Sequence, residues 1–189
     1  MSKFIVQAEA AGDILYSDEG LSFWGGVDPV TGRVIDVHHP WYGLEIAGKI
    51  LVMPTSRGSC SGSGVLLELA LNGYAPAALI FSVAEETLTL GAVIAAHLFD
   101  KPIAVAHLER EDFDALSQAP KATIRDNVLN FGKNRCALRP LRKFDLKLSP
   151  LDLLRLSGAP TNPTTLAMEV ICIMAVALGA ERLTDVTRG

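Results

Sequence analysis

Between Lys49 and Leu108 the chain alternates short apolar runs with longer helix-like ones. Lys49 to Met53 is apolar, Val65 to Leu71 continues in helix-like fashion, and Asn72-Gly73 is a helix stop. Pro76 to Ser82 is again continuously apolar, which suits a buried strand; Glu85 to Phe99 reads as a helix and Pro102 to Leu108 as the next strand. The order is β-α-β-α-β, which favours parallel pairing through crossover helices. Upstream the pattern changes to period two. Phe4, Val6 and Ala8 alternate with Ile5, Gln7 and Glu9, as in a half-buried strand, and Ala11-Gly12-Asp13 reads as a turn into Ile14-Leu15-Tyr16. Gly25, Gly26, Pro29 and Gly32 mark a turn, after which Arg33 to Val37 is the next strand.

Downstream, residues 109–120 read as a short helix ending at Pro120, and residues 123–129 as a last strand. Ser149 and Pro150 then have the cap and first-turn chemistry of a helix start, and Thr164 to Leu178 reads as a strongly apolar helix closed by Gly179. The fold class is α/β: a compact β/β/α domain over residues 1–145, its central sheet flanked by helices, with a helical C-terminal extension over residues 146–189. With 189 residues, 49% of them hydrophobic and 20% charged, the chain has the composition of a globular protein with an ample core. Cys60, Cys136 and Cys172 lie far apart without metal-ligand spacing, so neither a disulfide framework nor a local metal site is expected. The longest apolar stretch, Ile171 to Leu178, is too short to span a bilayer, and the opening has too short an apolar run for a signal peptide. A cytoplasmic protein without a membrane partner is expected. The segment from Lys121 to Lys147 is basic, but the chain carries a net charge of −4 and the segment has no aromatic platform or zinc knuckle, so no nucleic-acid partner is expected.

The candidate chemistry sits in the loop Pro54 to Ser63, between a predicted strand and a predicted helix. Its hydroxyls, glycines and Arg57 lie where a helix N-terminus favours anions, and Arg57 supplies a fork that fits a carboxylate or phosphate. Two other features compete. His38-His39 invites a metal reading, but neighbours on a strand face opposite sides, so packing or a hydrogen bond near the site is preferred. Gly58-Ser59-Cys60-Ser61-Gly62 fits a nucleophile elbow with Cys60 in the nucleophile position, although Pro54 to Arg57 intervene between the strand and the elbow. A third reading is a non-catalytic module whose loop only holds an anion.

Taken together, Leu21 to Pro29, Val34-Ile35-Asp36 with His38-His39-Pro40, Arg57 to Ser63, and Ala75 to Ala78 resemble the small swivel domain of the aconitase X family. Leu146 to Val186 is similar to the start of that family's large catalytic domain, so residues 146–189 are expected to be its truncated helical beginning. The resemblance implies a swivelling unit that closes over a large domain holding iron, often as an iron–sulfur cluster, to dehydrate a small hydroxy acid. Bacterial members act on cis-3-hydroxy-L-proline and archaeal ones on mevalonate 5-phosphate; the fused bacterial order points to the first. By the same resemblance Ser59 is the catalytic base, with Ser61 as its substitute, while Arg57, Gly58, Ser61 and Ser63 hold the substrate carboxylate. No cofactor is expected on this chain, because the three cysteines match none of the family's cluster ligands. The chain is expected to be inactive without the large domain or subunit.

Overall fold

Every strand of the predicted β-α-β-α-β segment is present, and each is buried on both faces. The computed structural model describes residues 2–140; the extension expected over residues 146–189 lies outside them. The three parallel strands are β5 (Ile50–Val52), β6 (Ala78–Phe81) and β7 (Ala104–His107), joined by helices α1 (Gly62–Asn72) and α2 (Thr87–Phe99). Leu51, Leu79, Phe81 and Val105 point to one side, where they meet Leu66, Leu69, Ile94 and Leu98 of the helices. Ile50, Val52, Ala78, Ile80, Ala104 and Ala106 point to the other. Two-sided burial explains why these strands read as unbroken apolar runs. As predicted, Gly73 stops α1 in the left-handed conformation (φ 81°), and its N–H caps the carbonyls of Leu69 and Ala70.

The second face is covered by the rest of the sheet. Strand β1 (Lys3–Val6) pairs antiparallel with β7, and β2 (Ala10–Tyr16) pairs parallel with β5 through Ile14–Tyr16. Residues 11–13, expected to turn, continue β2 instead, because Ala10 to Asp13 pair antiparallel with β8 (Lys121–Arg125). Gly12 makes this possible: a Cβ there would lie 2.4 Å from the Gly48 carbonyl oxygen. The strand expected over residues 123–129 is a hairpin. Asp126 and Asn127 take positive φ (51° and 59°) between β8 and β9 (Val128–Phe131), the backbone that suits a two-residue hairpin turn, and β10 (Asn134–Ala137) follows after Gly132. A last short strand, β11 (Arg139–Pro140), pairs parallel with β1, giving a nearly closed sheet of order β10-β9-β8-β2-β5-β6-β7-β1-β11. The short helix α3 (Arg110–Ala115) leads into a 3-10 turn, Leu116–Gln118. Phe113 of α3 and Leu116 of the 3-10 turn pack with Ile124, Leu129 and Phe131 of the curled-over strands against the second face.

The excursion between β2 and β5 holds a small hairpin, β3 (Val27–Asp28) with β4 (Arg33–Val34). The strand expected over residues 33–37 is therefore shorter; beyond Val34 the chain turns, and the Asp36 carboxylate accepts from the His38 N–H at 3.0 Å. Leu21, Phe23, Val27, Val34, Trp41 and Ile46 of this excursion enter the core on the α1 side, which fixes it beside the C-terminal end of β5.

Candidate functional site

The serine loop leaves β5 at the C-terminal end of the parallel strands, where open α/β sheets place their ligands. Its stem is held by backbone. The Pro54 carbonyl accepts from Ser82 and Val83 N–H (3.2 and 2.9 Å), and Arg57 N–H donates to the Leu21 carbonyl at 3.2 Å. The loop then crosses the excursion at Gly58, whose φ is +97°; a Cβ there would stand 2.5 Å from Ser22 Oγ. Only glycine meets both demands without strain.

From Gly58 to Cys60 the chain is exposed, and Ser61 is half-buried as it enters α1. Ser59 Oγ accepts from the Ser61 N–H at 3.2 Å and donates to Ser61 Oγ at 3.3 Å. It does not cap α1. The first N–H groups of that helix are consumed in the entering turn: Gly62 to the Ser59 carbonyl, Ser63 to Cys60, and both Gly64 and Val65 to Ser61. The helix end thus offers an anion its field rather than four unpaired donors. Arg57 is half-exposed, and its guanidinium faces Asp36 at 3.7 Å. Ser63, expected among the carboxylate contacts, is 1% exposed and donates its hydroxyl to the Cys60 carbonyl at 2.6 Å. It supports the turn from below. Ser59, Ser61, Arg57 and Gly58 are brought together on the surface of the loop; Ser63 is not.

The competing features separate here. His39 is buried, accepts the Trp41 N–H on Nδ1 (3.2 Å) and so donates from Nε2 to the Glu19 carbonyl (3.3 Å), with its ring edge-on to Trp41. Both its nitrogens are used, which leaves it no lone pair for a metal. Among the described residues no group of three or more His, Cys, Asp or Glu side chains is placed to hold a metal ion, and no helix is long and apolar enough to cross a membrane. The iron of the resembling family therefore finds no fitting donor set among these residues.

Three features were not visible in the sequence. Asp36 faces Arg57 from the β3/β4 excursion. Ser56 donates to the buried carboxylate of Glu85, just before α2. A groove of about 480 Å³, bounded by Trp24, Ile35, Ser61, Gly64 and Val65, adjoins the loop, and the half-exposed Trp24 and Ile35 form its apolar wall. On its rim, the Thr31 hydroxyl and the Val30 N–H hold the Asp28 carboxyl below the usual carboxylate range. Glu85 itself stands at the start of the predicted helix, a capping position, but its bond to Ser56 has no mark in the sequence.

Residues 1–130 match the aconitase X swivel domain family. The chain belongs to that family. Two curated relatives align over 97% of the chain: a cis-3-hydroxy-L-proline dehydratase of Pseudomonas aeruginosa, 40% identical, and one of Hypocrea jecorina, 41% identical. In each case the chain spans about a third of the relative's length (33%). A phosphomevalonate dehydratase small subunit of Methanothermobacter thermautotrophicus is 46% identical over 53% of this chain and 77% of its own. A solved structure of Thermococcus kodakaraensis aconitase X in its holo form matches with a TM-score of 0.56 and 36% identity, covering 65% of this chain and 88% of that one. The solution structure of a UPF0107 protein matches at 0.60 and 29% identity, over 70% and 100% of the respective chains. The aconitase X swivel fold is the α/β architecture read from the sequence.

Proposed function

We propose that this chain is the swivel component of an aconitase X-type hydro-lyase that dehydrates a small hydroxy acid, cis-3-hydroxy-L-proline. It acts with a large catalytic domain or subunit that carries the iron centre, and is inactive alone. The observation that carries the substrate is the extent of likeness: 97% of the chain aligns with the hydroxyproline enzymes, against 53% with the phosphomevalonate small subunit. That the swivel can be a separate small subunit in relatives supports the need for a larger partner.

Dehydration of a hydroxy acid requires a base for the proton beside the carboxylate and a Lewis acid for the departing hydroxide. The second task falls to the partner. In this chain Ser59 takes the proton. Its hydroxyl is exposed, and the Ser61 N–H already aimed at Ser59 Oγ stabilises an alkoxide there. Arg57 exchanges Asp36 for the substrate carboxylate and adds positive potential to the loop. Gly58 keeps the backbone bare beside it, Ser61 Oγ supplies a further donor, and Ser63 fixes the turn.

The test is an anaerobic assay. Wild-type and Ser59→Ala chains are mixed with an iron-loaded large domain of the family and offered cis-3-hydroxy-L-proline or mevalonate 5-phosphate. Turnover of the first that needs both chains and collapses with Ser59→Ala is expected. Turnover of the phosphorylated substrate would reassign the enzyme, and anion binding without turnover would leave a non-catalytic module.

A further inference from the structure

We propose that Glu85 is a positioning residue, through which the start of α2 holds the entry of the serine loop while the helix itself touches the loop's exit. Glu85 is 3% exposed. A buried carboxylate is costly unless its oxygens are hydrogen-bonded. Here Oε1 accepts from the Leu88 N–H at 2.9 Å and from the Ser56 hydroxyl, and Oε2 accepts from the Thr89 N–H at 2.9 Å, with Thr89 Oγ1 at 3.2 Å. The helix end satisfies the charge, and its dipole favours it. Among the described residues Ser56 is the one partner that lies outside α2. It stands between the two backbone anchors of the loop, Pro54 and Arg57, and immediately before the residues assigned to the substrate.

The first two turns of α2 also reach the far end of the loop. A Cβ on Gly91 would lie 2.6 Å from the Ser63 carbonyl oxygen, and one on Gly62 would lie 3.5 Å from Thr87 Cγ2. Helix α2 therefore touches the loop's exit at Gly62 and Ser63, and through Glu85 it holds the entry at Ser56. The span between them presents Ser59. Neither Ser56 nor Glu85 meets the substrate in this arrangement; they act by fixing where Ser59 and Arg57 stand. The role in turnover rests on the dehydratase reading, whereas the mechanical coupling does not.

The full-length chain as wild type, Ser56→Ala, Ser56→Thr and Glu85→Ala is followed by amide hydrogen exchange and, with the large domain, by steady-state kinetics. Ser56→Ala removes the loop's bond to Glu85 and leaves the α2 cap in place. Exchange over residues 55–61 is expected to quicken by about tenfold, the loss of one hydrogen bond to a charged group. Exchange over residues 87–91 stays as in wild type, and kcat falls by a similar factor with KM little changed. Ser56→Thr restores both, whereas Glu85→Ala loosens the loop and the start of α2 together. Unchanged loop exchange in Ser56→Ala overturns the coupling, whatever the kinetics. A loosened loop with wild-type turnover overturns the positioning role. A loosened loop with no turnover from the wild-type pair leaves the coupling standing and removes the dehydratase reading instead.

Discussion

The guanidinium of Arg57 stands 3.7 Å from the carboxylate of Asp36, beyond hydrogen-bond distance and half-exposed to solvent. Such a pair contributes little to stability, about 0–1 kcal/mol, but it places a competing carboxylate beside the cation assigned to the substrate. Asp36→Asn keeps an acceptor for the His38 N–H and removes the competitor. The variant is expected to melt within about 2 °C of wild type and to bind a small carboxylate more tightly. The gain should be a few-fold at low salt and vanish at high salt, as screening of an exposed charge requires. Titration of loop amide shifts by NMR at two ionic strengths reads both. Weaker binding in Asp36→Asn would mean that Asp36 orients Arg57 rather than competing with it.

Ser59 and Ser61 of the turn are not equivalent: the first is exposed and the second half-buried. Ser59 Oγ receives the Ser61 backbone N–H, a bond that survives loss of the Ser61 side chain. Ser59→Ala is therefore expected to lower kcat by roughly a thousandfold, the scale of losing a general base with its stabilised anion, and Ser61→Ala by about tenfold, one neutral hydrogen bond. Steady-state kinetics with the large domain decides. The reverse ranking would move the base to Ser61.

What was legible follows from how local each signal was. The crossovers announced themselves because strands buried on both sides have no polar face to confuse the pattern, and Gly73 sits where a helix needs a left-handed residue. The Asp126-Asn127 turn was hidden because its residues lack the glycine that usually marks a two-residue hairpin. Residues 11–13 read as a turn because the role of Gly12, close approach to Gly48, depends on a partner 36 positions away. In the loop, residue types suggested anion chemistry, but which hydroxyl faces out depends on the pitch of the entering turn. That pitch buries Ser63, half-buries Ser61 and leaves Ser59 outside. The Asp36 and Glu85 partners come from separate elements and have no mark in the loop's own sequence.

Gly58→Ala tests the crossing of the loop over the excursion. The substitution asks an L-residue to hold φ near +97° and sets a Cβ 2.5 Å from Ser22 Oγ. A conformation of this kind costs on the order of 1–3 kcal/mol. In a chain of this size that is a fall in Tm of several degrees by calorimetry, roughly 2–4 °C per kcal/mol. Ser22→Ala alone, which removes the hydroxyl that bonds the Trp24 carbonyl, should cost less. A Gly58→Ala chain that melts with wild type would show that the loop relaxes away from Ser22.

Asp13 gives the fold a defined acid response. It lies where β2 passes from β8 to β5, and it accepts from Lys49 at 2.6 Å and faces Lys121 at 3.3 Å, one lysine from each neighbouring strand region. The bond to Lys49 first, and then that to Lys121, holds its carboxyl below the ordinary value. The folded chain thus binds this proton less readily than the unfolded chain. The stabilisation is fully present above the unfolded value of about 3.9 and is lost as pH falls through the lower folded one. Asp13→Asn should therefore lower Tm at neutral pH, with the gap to wild type closing as pH falls below about 4. High salt should shrink the neutral-pH gap as well, because all three side chains are partly exposed. Calorimetry across pH at two ionic strengths reads the result, and a gap that stays constant with pH would show that Asp13 contributes through packing and not through its charge.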